Sequence, residues 1–263
     1  MDTLKVDMSK TKKIAKKSDV QQRLVGAKVG PSCRDYGSGR PEAGDASRST
    51  VSLRFHELSL RHSDVQLLQG PHALNERLLS FYYTYLQSRR YKMKPELHFL
   101  SPASSQSLRH LELRERRRLV RDLQLASKQF VFVPLSEESH WSLLLVARPD
   151  RRFYYFDSED NRHLIVAQLL YETLRGVLAA DEYHFTVGRC LQLAKGQGHE
   201  SGVHLMCMTD TLADYVSRCG YATSTLLISI QEVRGMRASQ LQLIRTLGGI
   251  FPPSSGVVKS LSP

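Results

Sequence analysis

Residues 136–159, SEESHWSLLLVARPDRRFYYFDSE, constrain the fold of this chain more than any other stretch. Two apolar runs, 143–146 and 153–156, flank the turn residues Pro149, Asp150 and Arg151. Aromatic and β-branched runs bounded by Pro and Asp pair as a hairpin. Each run carries one polar residue at an end, His140 opening the first and Asp157 closing the second. Antiparallel pairing brings the two side by side. A carboxylate so placed fixes the tautomer and orientation of an imidazole for proton transfer. Such a pair on adjacent strands is also an ordinary structural contact, so the rest of the chain decides between the two.

The chain has 263 residues, enough for one substantial core or for one domain with appendages. No stretch approaches the roughly 18 apolar residues of a spanning helix, so no membrane role is expected. The Lys-rich N-terminus lacks the apolar centre of a secretory signal. Cys33, Cys190, Cys207 and Cys219 are widely spaced with no CxxC pair. That spacing argues against a zinc site and a disulfide framework, and for a reducing compartment, cytoplasmic or nuclear. A net charge of +11 means nucleic acid, an acidic protein partner or only a solvated surface. No RNP-like aromatic pattern or finger spacing accompanies it, so a nucleic-acid domain is not expected.

Residues 1–50 read as a disordered basic leader, poor in large apolar residues. Its run of Lys10, Lys12, Lys13, Lys16 and Lys17 is either a nuclear-localisation or anion-contacting segment or simply a solvated face. An ordered domain is expected over 51–247. Leu74, Leu78, Leu79, Tyr82 and Leu86 have helical spacing. Residues 98–108 read as a loop with helix-start signals. A very basic helix over 108–125 carries a narrow stripe of Leu108, Leu111, Leu119 and Leu123, so its arginines face water or an acidic partner. A strand is expected over 129–134, a helix over 164–178 and a strand over 183–187. A Gly-punctuated loop then leads to a helix from Gly202 to Cys219. Short helical or strand pieces are expected at 226–230 and 239–247, and a flexible tail over 248–263. This order fits an α+β domain.

The hairpin, the loop and the helix after it resemble the ubiquitin-like-protein-specific cysteine proteases, the Ulp and sentrin-specific protease family, and its deneddylase branch most. In that family a strand-opening HW supplies the base, an aspartate ending the next strand orients it, and a DCG triplet places the nucleophile at a helix N-terminus. HWSLLLV, FYYFDSE and the ESG of HESGVHLMC stand in those places here, and RHSDVQLLQGPHALNE looks like the family's N-terminal region. The resemblance runs over about 55–247 and implies a papain-like fold of the Ulp type, a central mixed sheet flanked by helices. It implies His140 as base, Asp157 as its orienter and Ser201 at the nucleophile position. The oxyanion glutamine, six residues earlier, falls on Lys195, with Gln197 as a substitute if the loop shifts. The family's WLND motif, which covers and contacts the modifier's tail, appears as Ala73-Leu74-Asn75-Glu76, without its Trp. Ala73, Asn75, Glu76 and Trp141 are therefore the implied substrate contacts. The implied partner is a ubiquitin-like modifier, of the neddylation type first and SUMO second, bound by a monomer. The resemblance calls for no cofactor and no metal.

The departures bear on the chemistry. A thiol ionises readily beside a histidine and a helix N-terminus, whereas a serine hydroxyl must lose its proton within the transition state. A missing oxyanion donor costs about 10²–10³ in rate. The expected function is a weak or inactive protease homologue that binds a modifier. An active peptidase using Ser201, and a scaffold that has lost modifier binding too, are the alternatives. Serine is also a favoured N-cap, which would make Ser201 a purely structural residue. Cys207, six residues on, reads as a buried small hydrophobe, and Cys190 has no evident base.

Overall fold

The computed structural model describes residues 50–251. The expected leader and tail lie outside the described residues, apart from Thr50 and residues 248–251. Strands β1 (Val51–Phe55) and β2 (Leu58–Arg61) form an antiparallel ribbon, followed by the short helix α1 (His62–Gln66). Helix α2 (Glu76–Tyr85) begins where Asn75 Oδ1 accepts the Leu78 N–H at 3.0 Å. Its Leu78, Leu79 and Tyr82 are buried, as their spacing predicts.

The segment expected as a loop instead holds β3 (Leu97–Phe99) and helix α3 (Pro102–His110). Ser101 caps α3 by accepting the Ser104 N–H at 3.1 Å, and Pro102 supplies a pre-set φ at the first helical position. The expected basic helix over 108–125 is broken. Leu111 and Glu112 are extended (ψ 147° and 157°), and α4 (Leu113–Asp122) starts afresh. Arg116 accounts for the break, donating to Leu108 O at 2.8 Å and Leu111 O at 2.7 Å. It thus satisfies carbonyls that a continuing helix would have used.

Strands β4 (Phe130–Glu137), β5 (His140–Ala147) and β6 (Arg152–Phe156) follow, then α5 (Leu164–Val177), β7 (His184–Val187), α6 (Ser201–Cys219) and α7 (Ile230–Thr246). α7 replaces the two short pieces expected near the C-terminus. Its start is a reciprocal cap between Ser229 and Glu232, a pattern present in the sequence but not read there. The main sheet runs β3-β4-β5-β6-β7, parallel at both outer pairs and antiparallel in the middle.

Helices cover both faces. Phe130, Phe132, Leu143, Leu145 and Phe156 pack with α2, α6 and α7, while Val131, Val133, Leu144, Val146, Phe153 and Tyr155 pack with α3, α4 and α5. Every residue of β5 is buried, which is why its sequence is a continuous apolar run rather than an alternation. The fold is the expected α+β mixed sheet flanked by helices. Among the described residues, no helix is long and apolar enough to cross a membrane.

Candidate active site

The β5–β6 register sets Leu143 against Phe156. One step further it sets Ser142 against Asp157, and the period of two puts His140 on the same face. His140 Nε2 lies 2.6 Å from Asp157 Oδ1, with both residues buried. Asp157 also accepts from the Tyr155 hydroxyl, the Glu159 N–H at 2.9 Å and the His163 N–H at 3.1 Å. Burial works to raise the Asp157 pKa, but the donors from His140, Tyr155 and the two amides outweigh it and hold the carboxyl below its usual range.

The His163 ring stands edge-on to His140, centroids 4.7 Å apart. Its Nε2 donates to Glu137 O at 3.1 Å and its Nδ1 accepts from Ser142 Oγ at 3.0 Å. Burial, and then the neighbouring His140, lower its pKa. Ligand atoms of His140, Asp157 and His163 lie within 4.8 Å of one another. The 2.6 Å His140–Asp157 contact is a hydrogen bond, too short to straddle an ion held at about 2.0–2.2 Å from each ligand.

Ser201 is the first residue of α6 and is buried. Its Oγ accepts the Trp141 N–H at 3.3 Å, and the N-cap position belongs to Glu200, so Ser201 is not the helix cap. The next residue must be small. A Cβ on Gly202 would lie 3.0 Å from Leu74 Cβ and 3.3 Å from Trp141 Cδ1, so glycine lets α6 approach both. Among the described residues no hydrogen bond joins Ser201 to His140. His140 Nδ1 makes none, although Glu159 Oε2 stands 3.2 Å away, inside ion-pair range but off the line of a hydrogen bond.

The implied tail-contact residues divide. Ala73 and Glu76 are exposed, and Glu76 lines a small cavity of about 90 Å³ with Ser105, Arg109, Ser136 and Trp141. Asn75 is committed to the scaffold, capping α2 and donating Nδ2 to Asp64 Oδ1 at 2.7 Å. Trp141 is buried, its indole N–H bound to Leu74 O at 3.0 Å. Lys195 and Gln197 are exposed on either side of Gly196, whose φ of +80° turns the loop. Neither side chain bonds to Ser201 or His140 among the described residues.

Several participants went unread in the sequence. Gln192 donates Nε2 to Asp157 O at 3.0 Å. Glu200 is gripped by Arg237 of α7 at 3.0 and 3.2 Å. Alternation from His140 and Asp157 was signal enough for Ser142 and Tyr155; nothing local flagged Glu159, His163, Gln192 or Arg237. Burial pushes the thiols of both Cys190 and Cys207 up to about 12, so neither is a nucleophile in waiting.

The model of the Ulp1 protease family, C-terminal catalytic domain, matches residues 72–239. Human sentrin-specific protease 8 is 25% identical over 208 residues, 75% of this chain and 97% of that protein. NEDD8-specific protease 1 of Arabidopsis thaliana is 21% identical, covering 67% of this chain and 81% of its own length. The structure of the C-terminal Ulp1 protease domain in complex with Smt3, the yeast ortholog of SUMO, superposes with a TM-score of 0.60. The likeness covers 76% of this chain and 88% of that one at 16% identity.

Proposed function

The chain belongs to the Ulp1 protease family, and from that we propose that it binds a ubiquitin-like modifier while cutting it weakly or not at all. The observation that carries this reading is a buried His140–Asp157 pair retained at 2.6 Å beside a helix that opens with Ser201 rather than Cys. The serine hydroxyl accepts a backbone N–H and has no hydrogen bond to the imidazole among the described residues. A hydroxyl needs its base in line within the transition state, and a site shaped for sulfur gives up most of its rate with oxygen in its place. Exposed Lys195 or Gln197 would be the remaining oxyanion donor, and neither is preorganised as a donor packed into a site would be. Ala73, Glu76 and Trp141 would border the modifier's tail. Names among the relatives favour a neddylation-type modifier first and SUMO second.

The test is cleavage of fluorogenic C-terminal amides of the neddylation modifier, SUMO and ubiquitin, with affinity for each modifier measured alongside. The native chain is expected to bind at least one modifier and to show no turnover above the Ser201→Ala variant. Turnover that Ser201→Ala abolishes would make the chain a serine-dependent peptidase and overturn the reading. Absence of affinity for all three modifiers would leave a scaffold with some other partner.

A further inference from the structure

Glu159 stands two residues beyond Asp157 and reaches the other side of the same imidazole. Asp157 Oδ1 is 2.6 Å from His140 Nε2, and Glu159 Oε2 is 3.2 Å from Nδ1. β6 ends at Phe156, and Glu159 lies in the bend that follows, where its N–H donates to Asp157 Oδ1 at 2.9 Å. The bend folds the chain back so that the two carboxylates flank the imidazole, one at each ring nitrogen. Two other neighbours locate the Glu159 head. Arg162 Nη1 holds Oε2 at 3.0 Å, and a Cβ on Gly198 would lie 3.8 Å from Oε1. The carboxylate therefore spans the gap between His140 and the turn that leads into Ser201.

We propose that Glu159 is a positioning residue that occupies the Nδ1 side of His140, a second block on the chemistry, separate from the loss of the thiol. This rests on reading His140 and Ser201 as the positions of a base and a nucleophile. Nε2 is engaged by Asp157, so Nδ1 is the only ring nitrogen left to receive a proton from residue 201. Glu159 fills the approach to that nitrogen and, as an anion, also disfavours a thiolate or oxyanion forming beside it. Its own side chain is 40% exposed, so substituting it opens no cavity in the core. Restoring the cysteine alone thus leaves the base turned to a carboxylate.

The experiment starts from the Ser201→Cys variant and follows alkylation by iodoacetamide at pH 6, the labelled position being read from fragment ions. Ser201→Cys alone is expected to react as an ordinary, unactivated thiol. Adding Glu159→Ala is expected to raise that rate about tenfold, the net of a larger thiolate fraction and a lower intrinsic nucleophilicity. Glu159→Gln, of nearly the same shape, is expected to raise it too. Adding His140→Gln, or His140→Ala if the former melts early, should remove the gain, which a merely structural effect of Glu159 would not predict. Rates within twofold with and without Glu159→Ala, or a gain that survives loss of His140, would overturn the proposal. Modifier affinity of the Ser201→Ala variant separates the two readings. A His140-dependent gain without affinity sinks the modifier reading and leaves Glu159 standing, and affinity without the gain does the reverse.

Discussion

Replacing Arg237 by alanine is expected to cost about 2–4 kcal/mol of stability and to loosen the loop ahead of α2. Its guanidinium donates to Glu200 Oε1 and Oε2 at 3.0 and 3.2 Å, to Leu67 O at 2.7 Å and to His72 O at 2.8 Å. One side chain on α7 thereby ties the residue before Ser201 to the segment that enters Ala73. The two side chains are 14% and 21% exposed, so water reaches both ends but replaces neither fully. A hydrogen bond to a charged partner is worth about 1.5–3 kcal/mol net and a neutral one about 0.5–1.5. One charged pair and two carbonyl bonds, the latter taken at the lower value, together give about 2.5–6 kcal/mol, and partial rehydration removes about a third. Lysine should recover less than half of the loss, because a single ammonium cannot meet a carboxylate and two carbonyls in one plane. The assay is urea unfolding together with hydrogen exchange of amides 67–76. A double-mutant cycle with Glu200→Ala should give a coupling of about 1–2 kcal/mol. A loss under about 0.5 kcal/mol with unchanged protection of 67–76 would refute this role of Arg237.

Gly188→Ala is expected to cost about 1–3 kcal/mol in a thermal melt. Its Cβ would fall 2.1 Å from Cε1 of the fully buried Phe156, the residue just before Asp157, and an unchanged melt would mean that the ring has room to move. His98 makes stability pH-dependent. Burial, and then the charge of Lys128, lower its pKa from 6.5 to about 4, so the unfolded chain takes up a proton that the folded chain refuses. This contribution is fully present above pH 6.5 and is lost as pH falls toward 4. Urea midpoints measured from pH 7 to 4 should drop less steeply in His98→Gln, and parallel curves would refute the assignment.

What the sequence disclosed was whatever rests on local pairing. The hairpin was readable because 143–146 and 153–156 are apolar and flank a Pro-Asp-Arg turn, and a hairpin's register follows from its own turn. α2, α5 and α6 were readable from apolar spacing. The misreadings arose where a side chain from elsewhere decides a backbone. Arg116 is an ordinary helix former in the sequence, yet reaching back to Leu108 O and Leu111 O it stabilises a break that propensity alone would not place. The site divides the same way. His140 and Asp157 follow from strand ends, whereas Gln192 and His163 meet Asp157 through loops whose path no periodicity encodes.

The survival of the His140–Asp157 pair is weaker evidence for catalysis than it first looks, because the pair is held in place for structural reasons. Asp157 is buried and accepts from His140, Tyr155 and the amides of Glu159 and His163, and its own carbonyl accepts from Gln192 and Cys190. Replacing it by an apolar residue would leave the carbonyl bonds in place but strand the carboxylate's donors, from His140, Tyr155 and the two amides, at about 1–3 kcal/mol for each left unpaired. Such a cost preserves an aspartate whether or not any bond is cut. Ala73 and Lys195 are exposed, where a substitution costs little, and these are positions at which the chain departs from the resemblance. Ser201 lies between the two cases, buried yet differing from cysteine by one atom, so stability scarcely distinguishes them. Activity therefore has to be judged from residues whose burial does not already explain them. Glu159 is one of these. It is exposed at its outer edge, free to be almost anything as far as the core is concerned, and yet it stands 3.2 Å from the nitrogen that a working base would need open.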